Sequence, residues 1–340
     1  MKKKIVCMVL CWPLLLLHQL VRAQAIEPEK EKIYANPSVE GMPRGRGVVI
    51  GYERLPQFDI DSRTDDPAIG NGSGRVRRNN KWDMRLMAPV MNKPRTKLLV
   101  GVTYNVEEFN FEHVEPSTYS LYRYLEDKDL KSLGLQIAFL RSIDEENFYL
   151  VRIKGELNGD YTQENINITD YLKTTIDMAY GWKKSPNFVW GIGGQFGYTF
   201  GRRRVYPGIL YNRTFNDKWG VESIFPANVR FRRNVSEKTI LYAGYRLEGA
   251  SYNMYVNQPP LAQFEDLELR RTDIKALLRL EQEIYDFLWF SVEGGFRQYY
   301  RNRIYDVIGS RDELINNDLA GAGYLGVELY LVPPRRFSQR

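Results

Sequence analysis

The chain has 340 residues, and its mean hydropathy of −0.45 excludes a bundle of membrane-spanning helices. Four of its basic residues lie in a predicted signal segment, whose removal lowers the formal net charge from +6 to +2 and leaves no support for nucleic-acid binding. Cys7 and Cys11 lie in the same segment, so we expect the exported chain to have no disulfide, no thiolate metal site and no cysteine nucleophile.

Residues 1–25 have the parts of a secretory signal. A basic start at 1–4 is followed by an apolar run at 5–17, which is too short to span a bilayer as a helix. Small residues around Ala23 or Ala25 fit a cleavage site. We therefore expect this segment to direct export and then to be removed.

Apolar and polar residues alternate over most of the chain that follows. The predicted regions are the signal peptide at 1–25, a polar leader at 26–45, a barrel at 46–332 and a tail at 333–340. The clearest alternating runs lie at 81–91, 96–109, 147–159, 173–183, 188–200, 269–283 and 323–332. A period of two is the signature of strands, and runs of about 9–11 residues suit a tilted membrane strand. The sequence therefore predicts an all-β fold, a transmembrane antiparallel β-barrel.

The connections between these runs predict the number of strands. Short turns are expected at 92–95, 144–146, 184–186 and around Tyr285, and long loops at 60–80, 110–131, 253–268 and 302–320. Short periplasmic turns that alternate with long external loops are typical of outer-membrane barrels. A tight turn at Pro226 restores this alternation and keeps the proline out of a central strand. The prediction is then fourteen strands, with twelve left open.

The signal and the strand pattern together indicate the outer membrane of a Gram-negative-type envelope. The expected partners are the lipid bilayer, the outer-membrane assembly machinery and small solutes, and a monomer is favoured. The assembly machinery commonly reads a terminal aromatic residue, but here the last strand is followed by Pro333 and Pro334. That signal is therefore imperfect.

Three stretches resemble a known family. They are YSLYRYLEDKDLKSLG at 119–134, PGILYNRTFNDKWG at 207–220 and LEGASY at 247–252. Together they resemble an uncharacterised family of outer-membrane β-barrel proteins, a domain of unknown function, over roughly residues 90–330. The resemblance implies a barrel but no activity and no functional residues.

Twelve charged residues are predicted to line the lumen. The basic ones are Arg230, Arg232, Arg246, Lys275, Arg279 and Arg297, and the acidic ones are Glu222, Glu248, Asp273, Glu281, Glu283 and Glu293. A lumen of one sign would indicate an ion-selective pore. The balanced set leaves two hypotheses open: passive passage of small solutes, or a filled structural barrel whose external loops bind a partner or ligand.

His113 is the one histidine outside the signal, and Ser117 and Ser120 lie near it in a predicted loop. Lipid-modifying barrel enzymes generally use histidine with serine, but a general base needs a positioned partner and not only a neighbour in sequence. An ordinary loop histidine is the favoured interpretation. We therefore expect no enzyme and no cofactor.

Two further clusters have only weak functional interpretations. The acidic residues Asp59, Asp61, Asp65 and Asp66 lack the mid-loop glycine and terminal glutamate of an EF-hand, so a solvated loop is favoured over a loose external calcium site. A second set of side chains could stack on a sugar or another ligand, although interface anchoring or loop packing is favoured. This set is Tyr119, Tyr122 and Tyr124.

Overall fold

The computed structural model describes residues 34–162, 167–198, 202–264, 266–306 and 312–338. The predicted signal peptide lies outside these residues. Within them, sixteen strands form one sheet whose neighbouring strands are antiparallel. No helix in these ranges is long and apolar enough to cross a membrane.

The strands vary from six to 22 residues in length. The first eight are β1 (Val48–Leu55), β2 (Phe58–Arg63), β3 (Gly72–Lys93), β4 (Thr96–Glu115), β5 (Leu130–Ser142), β6 (Asn147–Gly159), β7 (Leu172–Ser185) and β8 (Phe188–Gly197). The others are β9 (Arg204–Thr214), β10 (Trp219–Phe225), β11 (Asn228–Ser236), β12 (Thr239–Met254), β13 (Leu267–Tyr285), β14 (Leu288–Tyr305), β15 (Glu313–Leu319) and β16 (Ala322–Leu331). The helices are α1 (Ser120–Asp127), α2 (Ile168–Tyr171), a 3-10 turn at Leu261–Gln263, and α3 (Arg335–Ser338).

The sheet closes into a barrel of fourteen strand positions. β1 and β2 both pair with β3, and β15 and β16 both pair with β14, so each of these two pairs forms one interrupted strand. β1 also pairs with β16, and β2 with β15, which closes the ring. The predicted barrel and its fourteen strands are confirmed. The turn at Pro226 lies between β10 and β11, as predicted.

The alternation along each strand separates two environments. Outward positions form an exposed apolar belt around the barrel, which includes Ile50, Met84, Leu86, Leu135, Ile153, Met178, Ile192, Leu278, Phe296 and Leu325. Inward positions on the same strands are polar and mostly buried. A closed sheet has no unpaired edge, so this outer face suits a hydrocarbon environment.

The predicted lengths of the long loops are wrong. β3 extends up to Gly72 and β4 up to Glu115, β15 lies inside a segment predicted as a loop, and β2 lies largely inside another. The apolar alternation stops at about Asn80 because the outer face above the belt is polar, while the ladder hydrogen bonds continue. Hydrophobic periodicity therefore marked the membrane-facing part of each strand and not its whole length.

The loop end of the barrel has an apolar core of its own. α1 places Leu121, Tyr122 and Leu125 against inward side chains of the surrounding strands, including Phe58 and Leu269. These residues are almost fully buried. The lumen is therefore covered on this side by packed loop side chains.

Adjacent glycines on β14 give a matched test of the close approach between β13 and β14. A Cβ on the inward Gly295 would clash with the carbonyl oxygen of Ala276, whereas a Cβ on the outward Gly294 would meet only a carbonyl oxygen at 3.8 Å. Overpacking of this kind typically costs about 1–3 kcal/mol. We expect Gly295→Ala to lower the denaturant midpoint of the folded barrel and Gly294→Ala to leave it nearly unchanged. Equal midpoints would contradict the packing described here.

Candidate functional site in the barrel lumen

The structure places all twelve predicted charged side chains on inward-facing strand positions, where each forms an ion pair. Glu222 of β10 illustrates the arrangement, because its carboxylate lies 3.0 Å from Arg230 and 3.3 Å from Arg232 on β11. Alternation puts these residues on one face, and the antiparallel register puts them side by side.

Ion pairs are densest on the wall formed by β12 to β16. The Arg279 guanidinium lies 2.8 Å from Glu281 and 3.3 Å from Glu293, and it also contacts Glu328. Arg246 lies 2.7 Å from Glu293 as well. Because one group serves several partners, loss of one member would leave buried charges without compensation.

The most buried pair is Arg297 with Asp273. Nε of Arg297 donates to Oδ2 of Asp273 at 3.0 Å, and the two side chains are only 1% and 0% exposed. The same guanidinium donates to Asn79 on β3 at 3.3 Å. The pair therefore links adjacent strands and reaches across the interior.

Several network members were not among the predicted residues. Nζ of Lys275 lies 2.6 Å from Glu53 on β1, and Arg271 of β13 lies 2.5 Å from Glu107 on β4, so these contacts cross the lumen. Glu107 could have been included, because it alternates with an apolar face. Arg271 could have been included as well, because it lies two residues before Asp273 on β13 and shares its face. The register shift here inserts the extra residue, Tyr300, into β14 and not into β13.

The part of the lumen lined by β6 to β8 is less densely filled. Arg152 pairs with Asp177 at 2.7 Å, and Lys154 pairs with Glu156 at 2.7 Å. The Arg152 side chain remains 41% exposed although it points inward. This hydrated sector contrasts with the buried pairs of the opposite wall.

Residues 34–47, which we term the N-terminal strap, line the mouth at the short-turn end. The Ala35 amide donates to the Asp144 carbonyl at 3.1 Å, and the Glu40 amide donates to the Pro186 carbonyl at 3.0 Å. Further along, the side chain of Asn212 donates to the backbone of the strap. The described part of the predicted leader therefore follows the inside of the rim and narrows this mouth.

Side chains fix the strap as well as its backbone. Ala35 and Val39 pack with inward apolar residues such as Phe148 and Val189. At the far end, Arg44 lies 3.1 Å from Asp286 in the turn between β13 and β14. Both apolar packing and an ion pair therefore stabilise the strap.

The opposite end is pinched by a contact across the barrel. Asn253 of β12 pairs with Gly159 of β6, although these strands are not neighbours in the ring. We term this contact the pinch. Asp160 stabilises the contact, because its carboxylate accepts hydrogen bonds from the Tyr171 hydroxyl at 3.3 Å and the Tyr255 amide at 3.1 Å. Burial in this loop region raises the pKa of Asp160 to about 6.

The other candidate sites are not assembled in the described part of the chain. His113 lies on β4 and not in a loop, it is exposed, and it makes no hydrogen bond to Ser117 or Ser120 there. In the same ranges, no three acidic, histidine or cysteine side chains converge in the manner of a metal site. Asp59 instead pairs with Arg75 at 2.8 Å.

The stacking interpretation of the loop tyrosines is wrong. Tyr119, Tyr122 and Tyr124 are at most 3% exposed, so their faces are not available to a ligand. They are part of the loop core, where Tyr119 and Tyr122 meet edge to face at a centroid distance of 4.7 Å. Loop packing, the alternative interpretation, is what the structure shows.

A closed antiparallel barrel with an apolar outer belt and an ion-paired interior defines the class of this protein. Residues 102–307 match the family described as a domain of unknown function, DUF6268, and the chain belongs to this family. The predicted family resemblance is therefore confirmed. No curated protein matches the chain.

Three solved structures with a similar arrangement are distant from this chain in sequence. An outer membrane channel from Pseudomonas putida F1 has 10% identity and a TM-score of 0.40, over 91% of this chain and 100% of the other. A FadL homologue from Pseudomonas aeruginosa has 7% identity and a TM-score of 0.40, over 84% and 90%. Outer membrane phospholipase A from Escherichia coli has 9% identity and a TM-score of 0.33, over 82% and 98%.

Substitution of two aspartates compares the stability contribution of a buried ion pair with that of an exposed one. Asp273→Asn leaves the guanidinium of Arg297 buried with less compensating charge, and loss of one partner of such a pair typically costs about 3–5 kcal/mol. Asp59→Asn removes an exposed pair with Arg75 and should change little. We expect the denaturant midpoint of the folded barrel to fall strongly for Asp273→Asn only. Similar midpoints for the two variants would contradict a stabilising role of the network.

The raised pKa of Asp160 predicts that the stability of the pinch depends on pH. Its pKa is higher in the folded loop than in an unfolded chain, so protonation favours the closed contact. The stabilising effect should grow as the pH falls through about 6 and be complete near pH 4. We expect proteolysis of the loop at 255–264 to be slower at pH 5 than at pH 8, after correction for protease activity. In Asp160→Asn this difference should be lost, and a difference that persists would assign the effect to another group.

Proposed function

We propose that this protein is an outer-membrane barrel that provides a narrow passage for small polar solutes along the sector lined by β6 to β8. The observation that carries the proposal is the exposed but inward-pointing pair of Arg152 and Asp177. Charged side chains that remain exposed inside a closed barrel have access to water. The sector lies opposite the filled wall.

The location in the outer membrane is supported by the apolar belt and by the signal segment. The strands expose large apolar side chains outward, and the barrel leaves no edge unpaired. Both chain ends of the barrel and the short turns lie at one end, which by the usual orientation faces the periplasm. The strap is then on the periplasmic side and the pinch on the external side.

The entrance is best placed on the side of β10 and β11. These two strands are joined by the tight turn at Pro226. Asn228, the first residue of β11, pairs with Arg246 of β12, and β12 continues beyond this pair up to Met254. The barrel wall is therefore lower here than at β12. A solute would enter beside the pinch, pass the Arg152 sector and leave past the strap.

The proposed activity is non-enzymatic, since His113 is exposed on β4 and, among the described residues, forms no hydrogen bond to Ser117 or Ser120 that would position it as a general base. A second candidate is a filled structural barrel whose loops bind a partner. The dense ion pairs around Arg279 favour it, because they fill much of the interior on that side.

Cysteine accessibility distinguishes the two candidates, because the chain from residue 26 onward has no cysteine. We expect Gln195→Cys, which faces the hydrated sector beside Asp177, to react readily with a charged, membrane-impermeant thiosulfonate in proteoliposomes. Ser291→Cys, in the filled wall and 1% exposed, should react slowly. Met178→Cys, on the outer belt, should be protected by lipid.

The filled-barrel candidate gives a different pattern. Gln195→Cys would then react as slowly as Ser291→Cys, although both variants show the mobility shift on heating that marks a folded barrel. That outcome would contradict passage through this sector.

A further inference from the structure

Three arginines without an acidic partner in the described chain surround a recess in the outer wall. The recess has a volume of about 580 Å³, and its lining includes Arg54, Arg77 and Arg78. Pro56 and Gln57 complete the lining. All three arginines are exposed and lie near the upper edge of the apolar belt.

Interruptions of the hydrogen-bond ladder create this recess. β1 ends at Leu55 and β2 begins at Phe58, so Pro56 and Gln57 leave the ladder between them. On the neighbouring β3 the register shifts between Val76 and Arg78. The extra residue puts Arg77 on the outer face together with Arg78, although adjacent strand residues normally point to opposite faces.

The recess lies just above an aromatic pair at the belt edge. Tyr52 and Trp82 pack with ring centroids 4.7 Å apart, and the outward positions below them are Ile50 and Met84. Arg78 is four residues above Trp82, which corresponds to about 13 Å along the strand. Aromatic side chains mark the boundary between hydrocarbon and headgroups in membrane barrels. The arginines are therefore at headgroup height.

None of the neighbouring acidic side chains forms an ion pair with the three arginines in the described chain. Asp59 lies 2.8 Å from Arg75, and the Glu112 carboxylate accepts a hydrogen bond from Gln57 at 3.0 Å. Glu108 accepts a hydrogen bond from Asn80 at 3.5 Å. Glu112 and Glu108 bond to neutral amides and keep their charges, but the three guanidinium groups of the recess outnumber these two carboxylates. The recess therefore has an excess of positive charge, with three planar groups that favour phosphate oxygens.

We propose that this recess binds the phosphorylated headgroup of an outer-leaflet glycolipid, with the acyl chains on the apolar surface of β1 and β3 below it. Guanidinium groups bind phosphate through paired charge-assisted hydrogen bonds. The surface below, which includes Ile50, Met84 and Leu86, is exposed and apolar as acyl chains require. The inference uses the outer-membrane location and orientation from the proposed function but does not depend on solute passage.

Binding of lipid A bisphosphate to the folded chain in detergent tests the site, with retained lipid measured by native mass spectrometry. We expect wild type to retain the lipid, and the triple variant Arg54→Gln/Arg77→Gln/Arg78→Gln to bind it at least about tenfold more weakly, since each lost charge-assisted bond is substantial. Each single variant should show an intermediate loss, which keeps the test valid if the triple variant folds poorly.

Matched controls distinguish a built site from general attraction. Arg213→Gln/Arg233→Gln removes exposed arginines at the short-turn end, where they lie over Phe188 and Trp219, and should leave binding unchanged. Dephosphorylated lipid A should bind wild type weakly, and inorganic phosphate at the same concentration should not displace the bisphosphorylated lipid. Displacement would assign the site to free phosphate instead.

Failure of this inference is separate from failure of the proposed function. Equal lipid binding by wild type and the triple variant, or equal binding of the two lipids, would overturn the phosphoglycolipid site. Labelling of Gln195→Cys reports on the lumen and should be the same in the triple variant. A wild type that binds lipid while its lumen is unreactive would retain this site and refute only the passage.

Discussion

Pairing of inward-facing charges is the constraint on which the rest of the structure depends. A barrel strand alternates between its two faces, so a chain that presents apolar residues to lipid must turn its polar residues inward. Removal of charges from water is costly unless each has a partner with good geometry. Asp273 with Arg297 and Glu53 with Lys275 meet this requirement, and they join strands that are neighbours and strands that face each other across the lumen.

This network gives the interior two unlike halves. Around Arg279 the guanidinium and carboxylate groups are packed against one another, whereas around Arg152 they remain accessible. The strap and the pinch then restrict the two ends by different means. The strap uses backbone hydrogen bonds and apolar packing along the inner rim, and the pinch uses hydrogen bonds to the buried carboxylate of Asp160. A passage bounded in this way would be narrow.

Much of the fold could be predicted from the sequence because lipid imposes a strict alternation on each strand. The fourteen strands followed from periodicity together with one proline, since Pro226 could not occupy a central strand. The upper parts of β3 and β4 could not be predicted, because their outer faces meet water and lose the apolar signal. The strap could not be predicted either, since its contacts are made by backbone groups and small side chains such as Ala35.

Strand alternation also made part of the interior predictable. The alternation indicated which charges turn inward, but it contains no information on which strands face each other across the lumen. The pairing of Glu53 with Lys275 and of Arg271 with Glu107 therefore emerges only from the closed barrel. The burial of the loop tyrosines also depends on tertiary packing, because strand residues that are distant in sequence, such as Phe58 and Leu269, cover them.

Single-channel conductance of the folded chain in planar bilayers tests the central claim most directly. The recording compares the chain from residue 26 with a version that begins at residue 46 and lacks strap residues 34–45, after heat-dependent gel mobility has shown that both are folded. A narrow passage restricted by the strap predicts small, reproducible current steps that become larger without it. Electrical silence from both folded proteins would contradict the passage and leave the filled barrel as the account of this interior.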